Sequence, residues 1–228
     1  LWHEITDDSQ ELRTVNRMRL YREKLYICTN EGLMSYSQGE WEMEELEIPC
    51  FQLRIAGRCA YAGTAYGLWS CCSGSWKMVG YPERRVYDFL NVPQYLILAH
   101  DKGIAVYDRL TDSWADFNLG TGVTSLAVYR GHLIGATENG GLVVGNKKGG
   151  FDRVHYRRTI VFNVMNKGEN VFLCTDKGLY RYGYLLGQAT MYSVRLGGPV
   201  ADADLQNGSL YIATIFEGIK TLPVDEIL

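Results

Sequence analysis

The sequence is short of histidine, of long apolar runs and of net charge, and each shortage removes a class of protein. Only His3, His100, His132 and His155 occur. No His-Glu-x-x-His helix, Gly-x-Ser-x-Gly elbow or phosphate-cradling glycine loop accompanies them, so the usual motifs of metalloproteases, α/β-hydrolases and nucleotide sites are missing. No stretch approaches the roughly 20 apolar residues that span a bilayer. The opening Leu1-Trp2-His3-Glu4 has neither the basic nor the apolar region of a signal peptide. The expectation is a soluble chain that does not insert into a membrane. Lys and Arg number 23 against 26 Asp and Glu, a net charge of −3, which provides no field to gather nucleic acid. Nucleic acid is therefore not expected as a partner. A first residue Leu1 in place of Met is what an excised or processed piece would show, and it leaves the compartment open.

Cysteine is present but not in a metal-binding arrangement. Cys28, Cys50, Cys59, Cys71, Cys72 and Cys174 include no pair at C-x-x-C spacing, which argues against a zinc or redox site. No metal and no cofactor is expected. Cys28 and Cys174 stand at one repeat position that elsewhere holds Gly63, Ala99, Ala136 and Ala213, so they read as small buried residues rather than disulfide partners. Unpaired thiols weigh slightly toward a cytoplasmic place, and membership of a sensor toward an extracytoplasmic one.

What the chain has in abundance is repetition. An apolar run ending in a small residue and then usually Thr leads through a short polar turn to Gly and a second short strand, six times over. The copies are Leu25–Thr29 with Gly32, Ala60–Thr64 with Gly67, Leu96–His100 with Gly103, Leu133–Thr137 with Gly141, Val171–Thr175 with Gly178, and Leu210–Thr214 with Gly218. The spacing of the glycines, about 35 to 40 residues, is that of a propeller blade. The first run is β-branched or aromatic and too short for a helix, and Gly supplies the positive φ that a tight hairpin loop uses. An aromatic-led outer segment follows in most copies, at Trp41, Trp76, Trp114 and Phe151, and more loosely at Met191. An inner segment such as Val123–Val128 or Val200–Leu205 precedes each hairpin. Four strands per unit result, and no segment sustains the 3.6-residue period of a long helix.

The reading is thus an all-β, six-bladed β-propeller of four-stranded antiparallel blades, one domain over residues 1–228. The sixth copy stops at Leu228 without an outer strand, while Leu1-Trp2-His3-Glu4-Ile5 resembles the Trp41, Trp76 and Trp114 segments. The ring is expected to close by pairing this N-terminal strand into the last blade, which removes two exposed edges.

The copies Asn207–Thr214 and Cys174-Thr175-Asp176-Lys177-Gly178-Leu179-Tyr180-Arg181-Tyr182 resemble the two-component regulator propeller repeat. That family carries Trp in the apolar run, where this chain has Tyr26, Tyr61, Ile97, Ile134, Phe172 and Tyr211, so the similarity is to the wider class. The resemblance implies a sensing or interaction propeller without catalysis, often in the extracytoplasmic part of bacterial sensors.

Two sets of residues stand out as candidate sites. Eight residues before each apolar run lie Arg17, Gln52, Asp88, Ser125, Asn163 and Asp202, polar in all six copies. A periodic polar position on the innermost strand points either to a ligand-binding ring at the channel mouth or to hydrogen-bonded walls of a water-filled channel. The hairpin loops share one face with the links between blades. There the loops offer Glu31, Asp101, Glu138, Asp176 and Glu217, and the links offer Arg84, Arg85, Arg157, Arg158 and Arg195. This rim suits a charged partner, although polar residues also serve loops for conformational reasons. Tyr66, Trp69, Tyr81, Tyr87, Tyr156 and Tyr184 fall near loops or links, where aromatic residues favour interfaces. No catalytic residue is assigned. The favoured function is a protein-interaction or ligand-sensing platform, with a protein or peptide partner, or a small ligand, at the loop face. The alternative is a metal-dependent lactonase-like hydrolase with Asp88, Asn163 and Asp202 as oxygen ligands in the channel, which Arg17 in the same set opposes.

Overall fold

The computed structural model describes residues 14–185 and 187–223. These form 23 strands and no helix, in six antiparallel sheets, and the fold class is an all-β, six-bladed β-propeller. By contacts the chain divides into two compact units, Leu1–Phe89 and Leu90–Leu228.

In the first unit one sheet is β1 (Val15–Tyr21), β2 (Lys24–Thr29), β3 (Leu33–Ser37) and β4 (Glu40–Met43). The next is β5 (Cys50–Ala56), β6 (Cys59–Thr64), β7 (Gly67–Cys71) and β8 (Trp76–Gly80), and each sheet is hydrogen-bonded in sequence order. The unit ends within β9 (Val86–Asn91). The second unit holds β10 (Tyr95–His100), β11 (Gly103–Asp108) and β12 (Ser113–Asn118), then β13 (Val123–Tyr129), β14 (His132–Thr137), β15 (Leu142–Gly145) and β16 (Phe151–Val154). There follow β17 (Val161–Lys167), β18 (Asn170–Thr175), β19 (Gly178–Leu185) and β20 (Gln188–Leu196), then β21 (Val200–Gln206), β22 (Ser209–Thr214) and β23 (Ile219–Pro223). The last sheet has three strands among the described residues. The N-terminal strand expected to complete it lies outside the described residues.

The second strands are buried at their ends nearest the anchor glycines because adjacent sheets pack face to face there. In the first unit Cys28, Leu33 and Leu46 meet Cys50, Leu53 and Ala62. In the second, Ala127, Ile134 and Leu142 meet Val161, Val171 and Leu173. One sheet cannot hide its own apolar face, so each blade depends on its neighbour for the burial that stabilises it.

The threonine that ends the second strand clamps the hairpin loop. Thr29, Thr64, Thr137, Thr175 and Thr214 each donate their hydroxyl to the anchor glycine's carbonyl, at 2.8, 2.8, 3.2, 2.8 and 2.7 Å. The same oxygens accept from loop amides, as with Tyr66 at 3.0 Å and Lys177 at 3.1 Å. Where His100 replaces Thr, its Nδ1 accepts from the Lys102 amide at 3.2 Å and preserves the second half of the clamp.

Gly67, Gly103, Gly178 and Gly218 have the positive φ expected of the turn, while Gly32 and Gly141 do not. At Gly32 a Cβ would run into the Leu46 carbonyl oxygen, so the incoming link demands glycine. At Gly178 both reasons apply, with φ at +144° and the Arg195 carbonyl oxygen in the place a Cβ would take.

The cysteine expectation needs correction. Cys28, Cys50 and Cys174 are buried and outside any disulfide, but Cys59 and Cys72 form one, their Cα atoms 4.1 Å apart. The register that sets Ala60 opposite Cys71 on β6 and β7 brings Cys59 to Cys72 at the end of the hairpin. Disulfides persist in oxidising compartments, so thiol content no longer weighs toward the cytoplasm.

Two outcomes follow. Thr175→Val, which removes the hydroxyl's bonds to the Gly178 carbonyl and two loop amides, is expected to cost about 1–3 kcal/mol in urea unfolding, whereas Thr190→Val should change stability by under about 0.5 kcal/mol. Replacing Cys59 and Cys72 by Ser should remove about 2–3 kcal/mol, the loss expected for a loop of this length. The melting temperature of the unaltered protein should fall equally on reduction.

Candidate functional site

The polar residues of the innermost strands are placed by a recurrent bulge. The pairing of first and second strands slips between Val15 and Arg17, Cys50 and Gln52, Val123 and Ser125, Val161 and Asn163, and Val200 and Asp202. A bulge disrupts the ladder locally and leaves main-chain groups in need of partners. The polar side chains supply several. Gln52 Oε1 accepts from the Leu53 amide at 3.1 Å, Asp88 Oδ1 from Phe89 at 2.8 Å and Asp202 Oδ1 from Ala203 at 2.9 Å. Ser125 Oγ accepts from the Val164 amide of the next blade at 2.9 Å.

In the first unit, Asp88 Oδ1 also receives Gln52 Nε2 and Arg54 Nη2, each at 2.9 Å. Asp88 is 2% exposed, so its charge is held out of water by a guanidinium and two amide donors. The sequence repeat does not single out Arg54, which lies two residues beyond the periodic position, on the same strand face. In the second unit, Asn163 Nδ2 reaches Asp202 Oδ1 at 3.5 Å. Gln52, Asp88, Ser125 and Asn163 are buried, while Arg17 and Asp202 are half-buried. Among the described residues no group of three or more His, Cys, Asp or Glu side chains is placed to hold a metal ion.

At the other candidate site, five of the six hairpin loops are joined to the link of their own blade. The residue after the clamp threonine donates its amide to the link carbonyl: Asn30 to Thr14, Ala65 to Pro49, Glu138 to Gly122, Asp176 to Ile160 and Ile215 to Pro199, at 2.9–3.2 Å. In three blades the side chain returns the bond. Asn30 Oδ1 accepts from Thr14 at 2.8 Å, Glu138 Oε2 from Gly122 at 3.3 Å and Asp176 Oδ1 from Ile160 at 2.8 Å. Lys177 Nζ adds a contact to Asp176 Oδ2 at 2.8 Å. Desolvation works against the Asp176 carboxylate, but the Lys177 ammonium and the Ile160 amide outweigh it and hold the group below the usual range.

The link arginines have different surroundings. Gly67 donates its amide to the Arg84 carbonyl at 2.8 Å, so the main chain of that link is part of the clasp. Arg85, Arg157 and Arg158 are exposed and Arg195 is half-buried. Among the described residues, none of these four enters an ion pair. Arg195 also borders a cavity of about 250 Å³ with Phe216 and Glu217. The loop acids Glu138 and Asp176 are thus committed to the scaffold, and the rim is more cationic in effect than its composition suggests. Tyr184 and the link residue Tyr156 pack in a tyrosine cluster around Tyr182, and Tyr184 lies at the end of β19 away from these loops.

Comparison with known proteins matches the fold. The chain is similar to the extracellular domain of BT4673 from B. thetaiotaomicron, described as a one component system, at 15% identity and a TM-score of 0.75, covering 96% of this chain and 34% of that one. It is similar at 16% identity and a TM-score of 0.70 to the extracellular domain of BT3049, described as a hybrid two component system of B. thetaiotaomicron, covering 94% and 33%. The computationally designed Ika8 protein aligns at 12% identity and a TM-score of 0.67, covering 96% and 74%. The chain therefore spans about a third of the length of the two bacterial structures. No family model and no curated protein matches the sequence.

Ser125→Ala should strand the buried Val164 amide and lower stability by about 1–3 kcal/mol, read by chemical denaturation. The lowered carboxyl of Asp176 contributes stability that is present above the unfolded carboxylate range near pH 4 and is lost as pH falls through the folded value. Asp176→Asn should accordingly flatten the acid limb of the stability–pH curve between about pH 5 and 3.

Proposed function

We propose that this chain is a non-catalytic interaction or ligand-sensing propeller that engages its partner at the loop face. Arg84, Arg85, Arg157, Arg158 and Arg195 form the partner-contacting set, and the partner is an acidic protein or peptide segment, or a small anionic ligand. One observation carries the reading. The carboxylates nearest the links are hydrogen-bonded to main-chain amides, while Arg85, Arg157 and Arg158 stand exposed without a counter-charge among the described residues. A guanidinium that is already held on a rigid link loses less entropy on binding a carboxylate than one on a mobile loop.

For the inner-strand set of Arg17, Gln52, Asp88, Ser125, Asn163 and Asp202, the proposed ligand-contacting role is secondary to a structural one. Each oxygen that accepts a bulge amide has less capacity for a ligand. The same reasoning disfavours the hydrolase, because a divalent cation at Asp88 would compete with the Arg54 guanidinium, which lies 2.9 Å from the same carboxylate. The likeness to extracellular domains and the Cys59–Cys72 disulfide support an extracytoplasmic place. No helix of the described residues is long and apolar enough to cross a membrane.

The test is fluorescence anisotropy with a labelled oligoglutamate as probe. The unaltered protein should bind it saturably and more weakly as salt rises. The double reversal of Arg157→Glu with Arg158→Glu should weaken binding at least tenfold, with unfolding free energy changed by under about 0.5 kcal/mol. Arg84→Glu with Arg85→Glu tests the first unit in the same way. Binding that both reversals leave intact would refute the loop-face assignment.

A further inference from the structure

The fifth blade breaks the repeat at the end away from the loops. Its third and fourth strands, β19 and β20, have 8 and 9 residues, against 4 each for β15 and β16 and 6 each for β11 and β12. The added length carries Tyr184, two residues beyond Tyr182. The two therefore lie on one face of the strand, where both meet Tyr129 of β13. Ring centroids are 5.2 Å apart for Tyr129 and Tyr182, 6.0 Å for Tyr129 and Tyr184, and 5.7 Å for Tyr182 and Tyr184. Asn166 locks the two blades together behind them, accepting from the Val128 amide at 2.7 Å and donating to the Val128 carbonyl at 2.8 Å.

This hairpin walls a cavity of about 700 Å³ between the β13–β14 and β17–β18 turns. Arg130 and Arg181 both line it. The Arg130 guanidinium lies 5.3 Å from the Tyr129 ring centroid, and that of Arg181 lies 5.9 Å from the ring of Tyr192. Tyr192 in turn lies across Gly183, where a Cβ would meet its ring at 2.7 Å. Stacking on a ring uses the face of a guanidinium and leaves its edge donors for a planar acceptor. Among the described residues neither arginine enters an ion pair. An adjoining cavity of about 480 Å³ shares Arg130 and Tyr184 and adds Lys147 and His132.

The tyrosines do not offset this positive charge. The Tyr156 hydroxyl is buried with no hydrogen-bond partner among the described residues, and desolvation pushes its pKa up to about 12. Burial likewise raises Tyr182, whose hydroxyl sits beside that of Tyr184. Both remain neutral phenols at physiological pH. The acids nearby are Glu169, in the exposed β17–β18 turn, and Asp152, which accepts from Asn146 Nδ2 at 2.8 Å.

We propose that this cavity is a second binding site, selective for a small molecule that carries a carboxylate or phosphate group on a flat, apolar body. The arginine edges take the oxyanion, and the tyrosine wall takes the apolar part. An organic cation fits poorly, because Arg130 and Arg181 in the lining repel it. The volume is that of a small-molecule site. The inference stands apart from the loop-face reading, since it uses none of the same residues.

The test titrates benzoate, phenyl phosphate and the neutral benzamide into the intact chain, by calorimetry and by ligand-observed NMR. At least one oxyanion should saturate and bind tenfold or more tightly than benzamide, and the tighter of the two identifies the headgroup. Arg130→Asn and Arg181→Gln should each weaken that binding tenfold or more. Arg130 has φ of 48°, a conformation that asparagine adopts more readily, so Arg130→Asn should melt at the same temperature as the unaltered protein or higher. If it melts lower, Arg181→Gln decides alone. Equal affinity for benzamide, no saturation by either oxyanion, or binding that survives Arg181→Gln would overturn the proposal.

Discussion

A threonine hydroxyl placed between a glycine carbonyl and a loop amide is the contact on which the arrangement of each blade rests. A hairpin between the second and third strands leaves polar main-chain groups at its turn, and the close approach of the next link shuts out the water that would otherwise satisfy them. Thr175 serves three at once: the Gly178 carbonyl, the Lys177 amide and the Gly178 amide. With the hydroxyl in place the loop is short and defined, and the following amide can reach the link carbonyl. Without it, a buried turn would carry unpaired groups costing about 1–3 kcal/mol each. Five repeated clamps, with His100 as a partial sixth, set where each loop meets its link and so where the link arginines emerge.

The same demand for hydrogen-bond partners explains why polarity recurs on the innermost strands. An inner strand is terminal in its sheet and pairs along one edge only. The bulge that follows Val123 on β13 and Val161 on β17 disturbs even that ladder. A side-chain oxygen at the next position, or from the neighbouring blade as with Ser125, satisfies a buried amide locally. A ring of polar residues can therefore arise from backbone needs alone, blade by blade. That changes the weight of the periodic signal: it marks a bulge first, and a ligand site only where capacity is left over.

The strand pattern was legible because burial imposes it directly. Small residues before the clamp threonine, aromatic starts to the outer strands and anchor glycines are all direct consequences of packing sheets face to face. The uses of particular polar groups were not legible, since their partners are main-chain amides that leave no residue signature. Glu138 and Asp176 have the sequence character of rim acids and prove to be clasp members. The Cys59–Cys72 bond was missed for a related reason: it depends on a hairpin register, Ala60 against Cys71, that cysteine spacing alone does not express. The tyrosine cavity had a faint trace in the alternation Tyr180, Tyr182, Tyr184, which places three rings on one strand face in the longest hairpin.

The two ends of a blade are under different constraints, and this bears on where specificity can arise. At the loop end, the clamp threonine and the residue after it are tied to the loop and the link, so changes in length would break several hydrogen bonds together. At the opposite end a strand can lengthen while keeping its pairing register. β19 and β20 do so, continuing from Tyr182↔Met191 to Leu185↔Gln188 without a slip. Only there can the chain add new side chains without disturbing the repeat. The loop end is thus suited to presenting preset charge, and the extended hairpin to building a cavity that the other blades of its unit lack the length to form.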